Sequence, residues 1–405
     1  MKICLVTPDY PPWSSGGGAK IARNLVCSLA ERGHEVTVLT GYYEYRRKSV
    51  ILVEQKDNVK IVWLPYSFAW LVKVIPPLRY SLPPSLRSVF HCARIRYEDF
   101  DVIHLFGFPS HLLVDLVAIL ARSRPKLLTI HAFPKYAERE GKASVFLKVL
   151  YRVYLQTIGR HVVNSAKVVT AVSRFTMEEC IKNGIPKDKI VVIENGIDLN
   201  DYKPVQYSDL EAKFGINGGD ILILSISRIT WHKGYEYALK SVSAMVKKVD
   251  KPVKYMIVGP VEDPNYYLSL EKELERLGLR ETVIFAGLVS HNLKLQALSR
   301  ADIFLAPSVH EGFGLTILEA MAMGKPIVAS DCEGFRTVVD HMKDGILVQP
   351  GNPEEMTDAI LVLLTDPDTR DMLSKSALSK VREYAWQKRV TAYEELYYKC
   401  SGRTQ

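Results

Sequence analysis

The sequence lacks any apolar run long enough to span a bilayer, and its six cysteines are scattered without the CxxC spacing of metal or redox sites. We therefore expect reduced cysteines that serve in packing. The opening MKICLVTPDYPP contains one lysine, a short apolar stretch and then prolines, which favours a buried first strand over a secretory signal. These features predict a soluble, cytoplasmic protein.

Acidic residues are scarce in the first half of the chain. Residues 1–200 hold 28 Lys and Arg against 17 Asp and Glu, while residues 201–405 hold 25 against 28. A basic surplus of this kind is typical of proteins that bind nucleic acid, an anionic membrane or a phosphorylated substrate. The basic residues are dispersed and show no RNP-like, KH-like, zinc-finger or basic-zipper pattern, so no nucleic-acid partner is expected.

Short β-rich apolar runs alternate with helical segments, which predicts an α/β protein with parallel sheets covered on both faces. The length of 405 residues allows two domains. We predict two tandem Rossmann-like, doubly wound units, residues 1–200 with 386–405 and residues 201–385. The strands are expected at residues 2–7, 35–40, 59–64, 101–105, 126–131, 167–172 and 190–193, and then at 221–226, 253–258, 282–286, 302–306 and 326–330.

Ligands of open α/β sheets bind beyond the carboxyl ends of the strands, so the turns there are the first candidates for function. In the first domain, Gly16, Gly17 and Gly18 precede a helix whose free amides suit an anion. The GxGxxG spacing of dehydrogenases is missing, and a flexible turn is an equal alternative. His131 ends a predicted strand and is a second candidate, although a lone histidine is more often structural.

In the second domain, Arg228 and Lys233 follow the strand predicted at 221–226 and precede a helix. Both cations can converge where a pyrophosphate would lie. The alternative is a pair of solvated loop cations, but their place at the ligand edge of the sheet argues against it.

A glycine-spaced loop follows the strand predicted at 302–306 and leads into an apolar helix from about Leu315. The amides of Phe313, Gly314 and Leu315 would lie at the start of that helix, suited to phosphate or sugar hydroxyls. Two carboxylates, Glu311 in the loop and Glu319 one turn into the helix, can reach different parts of one elongated ligand. The alternative is that Glu311 is a charge at the helix N-terminus and Glu319 an exposed surface charge. For Glu319 this is disfavoured, because its helix is expected to be buried and an unpaired carboxylate there is costly.

Asn195 and Asp198, in the segment Glu194-Asn195-Gly196-Ile197-Asp198, are secondary candidates because a plain Asn-Gly turn explains them equally well.

The ordered set of these motifs resembles glycosyltransferase family 4, the retaining GT-B enzymes, over nearly the whole chain. The most specific element is Glu311-Gly-Phe-Gly-Leu followed by Glu319-Ala-Met. The resemblance implies two Rossmann-like sheets that face across a cleft. It also implies transfer of a hexose-type sugar from a nucleoside diphosphate sugar to an acceptor hydroxyl, with retention of configuration and without a metal ion or a bound cofactor.

The resemblance also implies the role of each candidate. Arg228 and Lys233 would bind the donor diphosphate, Glu319 the ribose and Glu311 the hydroxyls of the transferred sugar. Phe313, Gly314 and Leu315 would supply amides, and Gly16–Gly18 with His131 would come from the other domain. Two departures from the family pattern, Ala132 and Glu333-Gly334-Phe335-Arg336, leave the sugar and the acceptor open.

The acceptor is expected to be a glycan or a lipid-linked molecule. Residues 58–97 contain basic, aromatic and aliphatic residues but, up to Tyr97, no acidic one, a pattern typical of a segment that binds an anionic membrane surface. If the segment binds a membrane, we expect peripheral attachment to the inner membrane face. The alternative is an ordinary amphipathic helix that covers the first sheet. A nucleotide-sugar epimerase, a phosphorylase and a non-catalytic sugar-nucleotide-binding scaffold are the alternative functions.

Overall fold

The computed structural model describes residues 1–13, 16–42, 50–67, 83–109, 111–133 and 149–403. Two compact units make up the chain, Met1–Gly196 with Trp386–Gln405, and Ile197–Ala385. Each contains a sheet of parallel strands with helices on its faces, and the first sheet also carries one antiparallel edge strand. The predicted α/β class, with two Rossmann-like doubly wound sheets, is confirmed.

The first unit is built on an eight-stranded sheet whose strand order is β3-β4-β2-β1-β5-β6-β7-β8. β3 pairs antiparallel with β4, and the other pairings among the described strands are parallel. The strands are β1 (Lys2–Thr7), β2 (Glu35–Tyr42), β3 (Leu52–Lys56), β4 (Val59–Pro65), β5 (Val102–Phe108), β6 (Lys126–Ile130), β7 (Val168–Ala171) and β8 (Ile190–Val192).

Helices of this unit cover both faces of the sheet. Residues 149–154 are helical and continue through a π-helical turn, Leu155–Gly159, into α4. The numbered helices are α1 (Gly17–Glu31), α2 (Leu86–Arg94), α3 (Leu112–Leu120), α4 (Arg160–Ser165), α5 (Arg174–Lys182) and, from the end of the chain, α14 (Trp386–Ser401).

Polar contacts join α14 to the first unit. Glu394 accepts from Arg32 and pairs with His34, both at 2.7 Å, at the turn after α1. The hydroxyl of Tyr397 lies 2.7 Å from Nδ1 of His104, which is fully buried in β5. Burial lowers the pKa of His104 to about 3, so this contact is made by a neutral imidazole. Arg32 and His34 thus have a structural role in this unit.

The second unit contains a parallel six-stranded sheet in the order β11-β10-β9-β12-β13-β14. Its strands are β9 (Ile221–Ile226), β10 (Val253–Val258), β11 (Val283–Gly287), β12 (Ile303–Ala306), β13 (Ile327–Ser330) and β14 (Ile346–Val348). Its helices are α6 (Ser208–Phe214), α7 (Tyr235–Met245), α8 (Pro264–Arg276), α9 (His291–Arg300), α10 (Leu315–Ala322), α11 (Glu333–Arg336), α12 (Pro353–Thr365) and α13 (Pro367–Lys380). The strand order reverses between β9 and β12, and ligands of such sheets bind at this switch point.

Candidate active site

The switch point of the second unit is formed by the loops after β9 and β12. The amide of Val309 donates to the carbonyl of His232 at 3.0 Å, which ties the two loops together. Gly234 lies in the left-handed region, with φ of 66°, and a Cβ there would overlap the carbonyl oxygen of Pro307. A glycine is therefore required for the loops to approach this closely.

Lys233 and Glu311 meet at this point. Lys233 Nζ lies 2.5 Å from Glu311 Oε2, and the lysine side chain is only 8% exposed. Burial alone would raise the pKa of Glu311, but the charge and hydrogen bond of Lys233 outweigh it and the pKa is lowered. The structure thus brings together two of the predicted site residues as a charged pair.

Arg228 pairs with a residue that was not predicted. Its Nη1 lies 2.6 Å from both carboxylate oxygens of Glu262, which follows β10 in the next strand-to-helix turn. Burial, followed by the charges of Lys233 and Arg228, lowers the pKa of His232 to about 3.

The loop before α10 is shaped by two glycines. Gly314 precedes the helix with φ of 104°, and Ile317 begins the helical pattern by donating to its carbonyl at 3.0 Å. Phe313 is buried, 4% exposed. On the other side, a Cβ at Gly334 in α11 would overlap the carbonyl oxygen of Glu311. The segment 333–336, a departure from the family pattern, thus packs directly behind this loop.

Replacing Gly334 by alanine is expected to displace the loop at Glu311 and Phe313, because the new methyl group would overlap their backbone. Overpacking of this kind costs about 1–3 kcal/mol of stability. We also expect weaker binding of nucleoside diphosphates. Thermal unfolding and titration calorimetry measure the two effects. Gly218→Ala is the matched control, since a methyl group there would have no heavy atom within 4 Å beyond its chain neighbours. If the two variants had the same thermal stability and bound nucleoside diphosphates equally well, Gly334 would not be needed to shape the loop at Glu311 and Phe313.

Glu319 lies on α10 and is 6% exposed. Its Oε1 accepts from Lys294 Nζ at 2.7 Å and from the hydroxyl of Tyr202 at 2.6 Å. The cost of burying this carboxylate is thus offset by a cation and a hydroxyl that were not predicted from the sequence. One signal was available for Lys294, which is a single charged residue between Leu293 and Leu295 in α9.

In the first unit, Gly16 precedes α1, which begins at Gly17, and all three glycines are exposed. His131 follows β6 directly. Its Nε2 is buried and has no hydrogen-bond partner among the described residues, and its ring lies 4.6 Å from that of Phe106. Burial, and then the charge of His111, lowers the pKa of His131 to about 4, so the ring is neutral near pH 7.

The two secondary candidates lie on either side of the boundary between the units. Asp198 accepts from the amide of Asn200 at 3.0 Å and caps a short 3₁₀ helix, Leu199–Asp201. Asn195 is buried, 6% exposed. The contact of Asp198 is that of a local turn residue.

Over the described part of the chain, no three His, Cys, Asp or Glu side chains are grouped closely enough to hold a metal ion. None of the helices in that part combines the length and apolar character needed to cross a bilayer. Of the predicted membrane segment 58–97, residues 68–82 lie outside the described residues.

The chain is similar to known glycosyltransferases along most of its length. The family profile "Glycosyltransferase Family 4" matches residues 15–201, and "Glycosyl transferases group 1" matches residues 207–380. An uncharacterized glycosyltransferase of Methanocaldococcus jannaschii is 28% identical over 393 residues, 95% of each chain. The N-acetyl-alpha-D-glucosaminyl L-malate synthase of Bacillus anthracis is 26% identical over 400 residues, 98% of this chain and 97% of its own.

Solved structures share the fold. Anabaena HepE in complex with UDP and glucose superimposes with a TM-score of 0.77 at 20% identity, covering 98% of this chain and all of its own. The epimerase, phosphorylase and non-catalytic alternatives are not favoured by these matches. The two family matches and the paired Rossmann-like sheets establish that the chain belongs to the family 4 type of glycosyltransferases, with the GT-B fold.

Proposed function

We propose that this glycosyltransferase moves a hexose-type sugar from a nucleoside diphosphate sugar to an acceptor hydroxyl, retaining the anomeric configuration and using neither a metal ion nor a bound cofactor. The observation that carries the proposal is the pair of cations, Arg228 and Lys233, at the switch point of the second unit. Each forms an ion pair with a carboxylate, Arg228 with Glu262 and Lys233 with Glu311. Such a pair of cations is suited to bind a diphosphate, which carries two or more negative charges.

The predicted residues of the second unit's switch point each have a place in this mechanism. The diphosphate would replace Glu262 as the partner of Arg228 and lie against Lys233 and the amides of Phe313, Gly314 and Leu315. As the bond between sugar and diphosphate breaks, negative charge grows on the leaving oxygen, and these fixed groups stabilise it. Glu311, kept ionised by Lys233, would accept hydrogen bonds from the sugar hydroxyls.

The first unit would serve the acceptor. We propose that His131, neutral and with a buried Nε2, binds a hydroxyl of the sugar or the acceptor, and that the amides of the exposed residues Gly16–Gly18 bind a polar group of the same substrates. Asn195 and Asp198 have no assigned step, since Asp198 already caps a turn.

A thermal-shift panel tests the donor. We expect one family of nucleoside diphosphates, among UDP, GDP and ADP with their sugars, to stabilise the protein by about 2.7 kcal/mol at 100 times Kd. The shift should persist in EDTA, because the proposed site uses side chains and amides. HepE was solved with UDP and glucose, so UDP-glucose is the first probe. A panel without any shift would contradict the proposal, as would a shift that requires Mg²⁺.

An anionic membrane surface is the second proposed partner, and the acceptor is then a lipid-linked molecule. In the described part of residues 58–97, Leu86 and Phe90 on α2 are 76% and 64% exposed, and Arg87 and Arg94 lie on the same short helix. Apolar side chains beside arginines are typical of interfacial helices.

Sedimentation with phosphatidylglycerol vesicles at low salt is expected to carry the protein into the pellet, and Leu86→Ser with Phe90→Ser should weaken binding. Added salt should also weaken it, because screening reduces the attraction of the arginines to the lipid. Leu268→Ser is the matched control, an exposed leucine on α8 of the second unit. If wild-type protein stays in the supernatant at low salt, the membrane proposal is wrong.

A further inference from the structure

Two polar side chains of the second unit, Tyr202 and Lys294, contact the same carboxylate oxygen of Glu319 and also contact each other. Glu319 Oε1 accepts from Tyr202 at 2.6 Å and from Lys294 at 2.7 Å, and Lys294 Nζ lies 3.3 Å from the Tyr202 hydroxyl. The residues come from α10, from α9 and from the segment after the 3₁₀ helix at Leu199–Asp201. Elements far apart in sequence thus fix the orientation of one carboxylate.

All three side chains are buried, none more than about a tenth exposed. Burial, and then the charge of Glu319, raises the pKa of Tyr202, so its hydroxyl is a donor at any physiological pH. Replacing a buried ion pair by apolar residues of similar volume is often neutral or stabilising. The stability of the unit therefore does not by itself explain why this arrangement is used.

Glu319 is placed where the donor nucleoside is expected. It lies four residues after Leu315, which is one helical turn or about 6 Å along α10 from the amides assigned to the diphosphate. That is the order of the distance between a diphosphate and the hydroxyls of the attached ribose. A carboxylate offers about four acceptor sites, so ribose hydroxyls can be accepted alongside Tyr202 and Lys294.

We propose that Tyr202 and Lys294 are positioning residues for ribose recognition: they hold the carboxylate of Glu319 in one orientation. This inference rests on the proposed function, in which Glu319 binds the ribose. Neither residue needs to touch the donor. They affect ligand binding only by fixing the orientation of the Glu319 carboxylate.

Binding of ribose and deoxyribose forms of the nucleotide tests this role. UDP, GDP and ADP, each with its 2′-deoxy and 3′-deoxy form, are titrated by calorimetry, and the diphosphate that binds is used. In wild-type protein, loss of a hydroxyl that donates to a carboxylate should weaken binding roughly 10-fold or more. Tyr202→Phe keeps the ring and removes one hydrogen bond to Glu319, so it should raise Kd for the ribonucleotide roughly 2- to 10-fold. The same variant should bind the deoxy form almost unchanged.

If Tyr202 had only a structural role, its loss would loosen the unit generally and weaken binding of the ribonucleotide and the deoxyribonucleotide equally. Tyr267→Phe is the matched control: its hydroxyl donates to Glu271 at 2.8 Å in a more exposed pair on α8. In sugar transfer, Tyr202→Phe should raise donor KM with kcat unchanged, since ribose is bound alike before and during the reaction.

The two levels of the proposal fail in different ways. If Glu319→Ala still distinguishes ribose from deoxyribose as wild type does, the ribose role of Glu319 is wrong and the proposed donor site with it. If Glu319→Ala loses that discrimination while Tyr202→Phe and Lys294→Met both keep the wild-type ratio, only the positioning inference is overturned.

Discussion

Replacing Lys233 by alanine is expected to lower kcat about 10²–10³-fold, which corresponds to about 2.7–4 kcal/mol of transition-state stabilisation. The lysine is fixed at 2.5 Å from Glu311 and is only 8% exposed, so its charge is already in place before the sugar is transferred. Charge grows on the diphosphate only as the bond breaks, and the effect on donor Kd should therefore be smaller. Arg228→Ala should act in the same direction and by the same order. Steady-state kinetics with calorimetric donor binding measure both quantities.

Controls separate the catalytic effect from the loss of the pair. Lys233→Ala leaves Glu311 without the cation that lowers its pKa, so the double variant Lys233→Ala with Glu311→Gln is measured beside it. Lys272→Ala, an exposed lysine on α8, should behave as wild type. Added Mg²⁺ should not restore activity. A Lys233→Ala enzyme that transfers sugar at the wild-type rate would show that the proposed mechanism is wrong.

The fold was predictable because burial leaves a strong mark on the sequence. Strands with both faces covered appear as nearly continuous apolar runs, and the prediction at 221–226 corresponds to β9, Ile221–Ile226. The strands β3 and β14 were not predicted. All five residues of β3 are exposed, so this strand leaves no buried apolar run. The apolar run of β14, Ile346–Val348, is only three residues long, too short for its periodicity to indicate a strand.

The candidate site was predictable where a rule connects sequence to position. Arg228, Lys233 and Glu311 were found because they follow strands whose carboxyl ends meet at one edge of the sheet. The same rule applies to Glu262 after β10, but the segment carries no glycine motif that would draw attention to it. Its pairing with Arg228 spans 34 residues, and no local pattern specifies such a contact.

The two hydrogen-bond partners of Glu319 could not be predicted from the sequence either. Tyr202 is 117 residues away in sequence and Lys294 is 25 residues away. Burial of Glu319 could be inferred from the apolar helix around it, and burial of a carboxylate demands a partner. The identity of that partner depends on how α9 and the segment after residue 201 pack against α10. That packing is a tertiary property, which the spacing of residues does not encode.

Replacing Lys294 by methionine is expected to destabilise the second unit by about 3–5 kcal/mol, because it leaves the buried carboxylate of Glu319 without its cation. For a unit of this size, roughly 2–4 °C of Tm is lost per kcal/mol, so the unfolding transition should fall by roughly 6–20 °C. Thermal unfolding followed by circular dichroism measures it.

The double variant Lys294→Met with Glu319→Gln decides whether the uncompensated charge is the cause. Methionine fills nearly the same volume as the lysine, and glutamine keeps the shape of Glu319 without its charge, so the double variant should recover most of the lost stability. Lys272→Met on the exposed face of α8 controls for the substitution itself and should leave the free energy of unfolding within about 0.5 kcal/mol of wild type. If Lys294→Met alone unfolds like wild type, or if the double variant is less stable than the single one, the pair does not neutralise Glu319 in the way its 2.7 Å contact indicates.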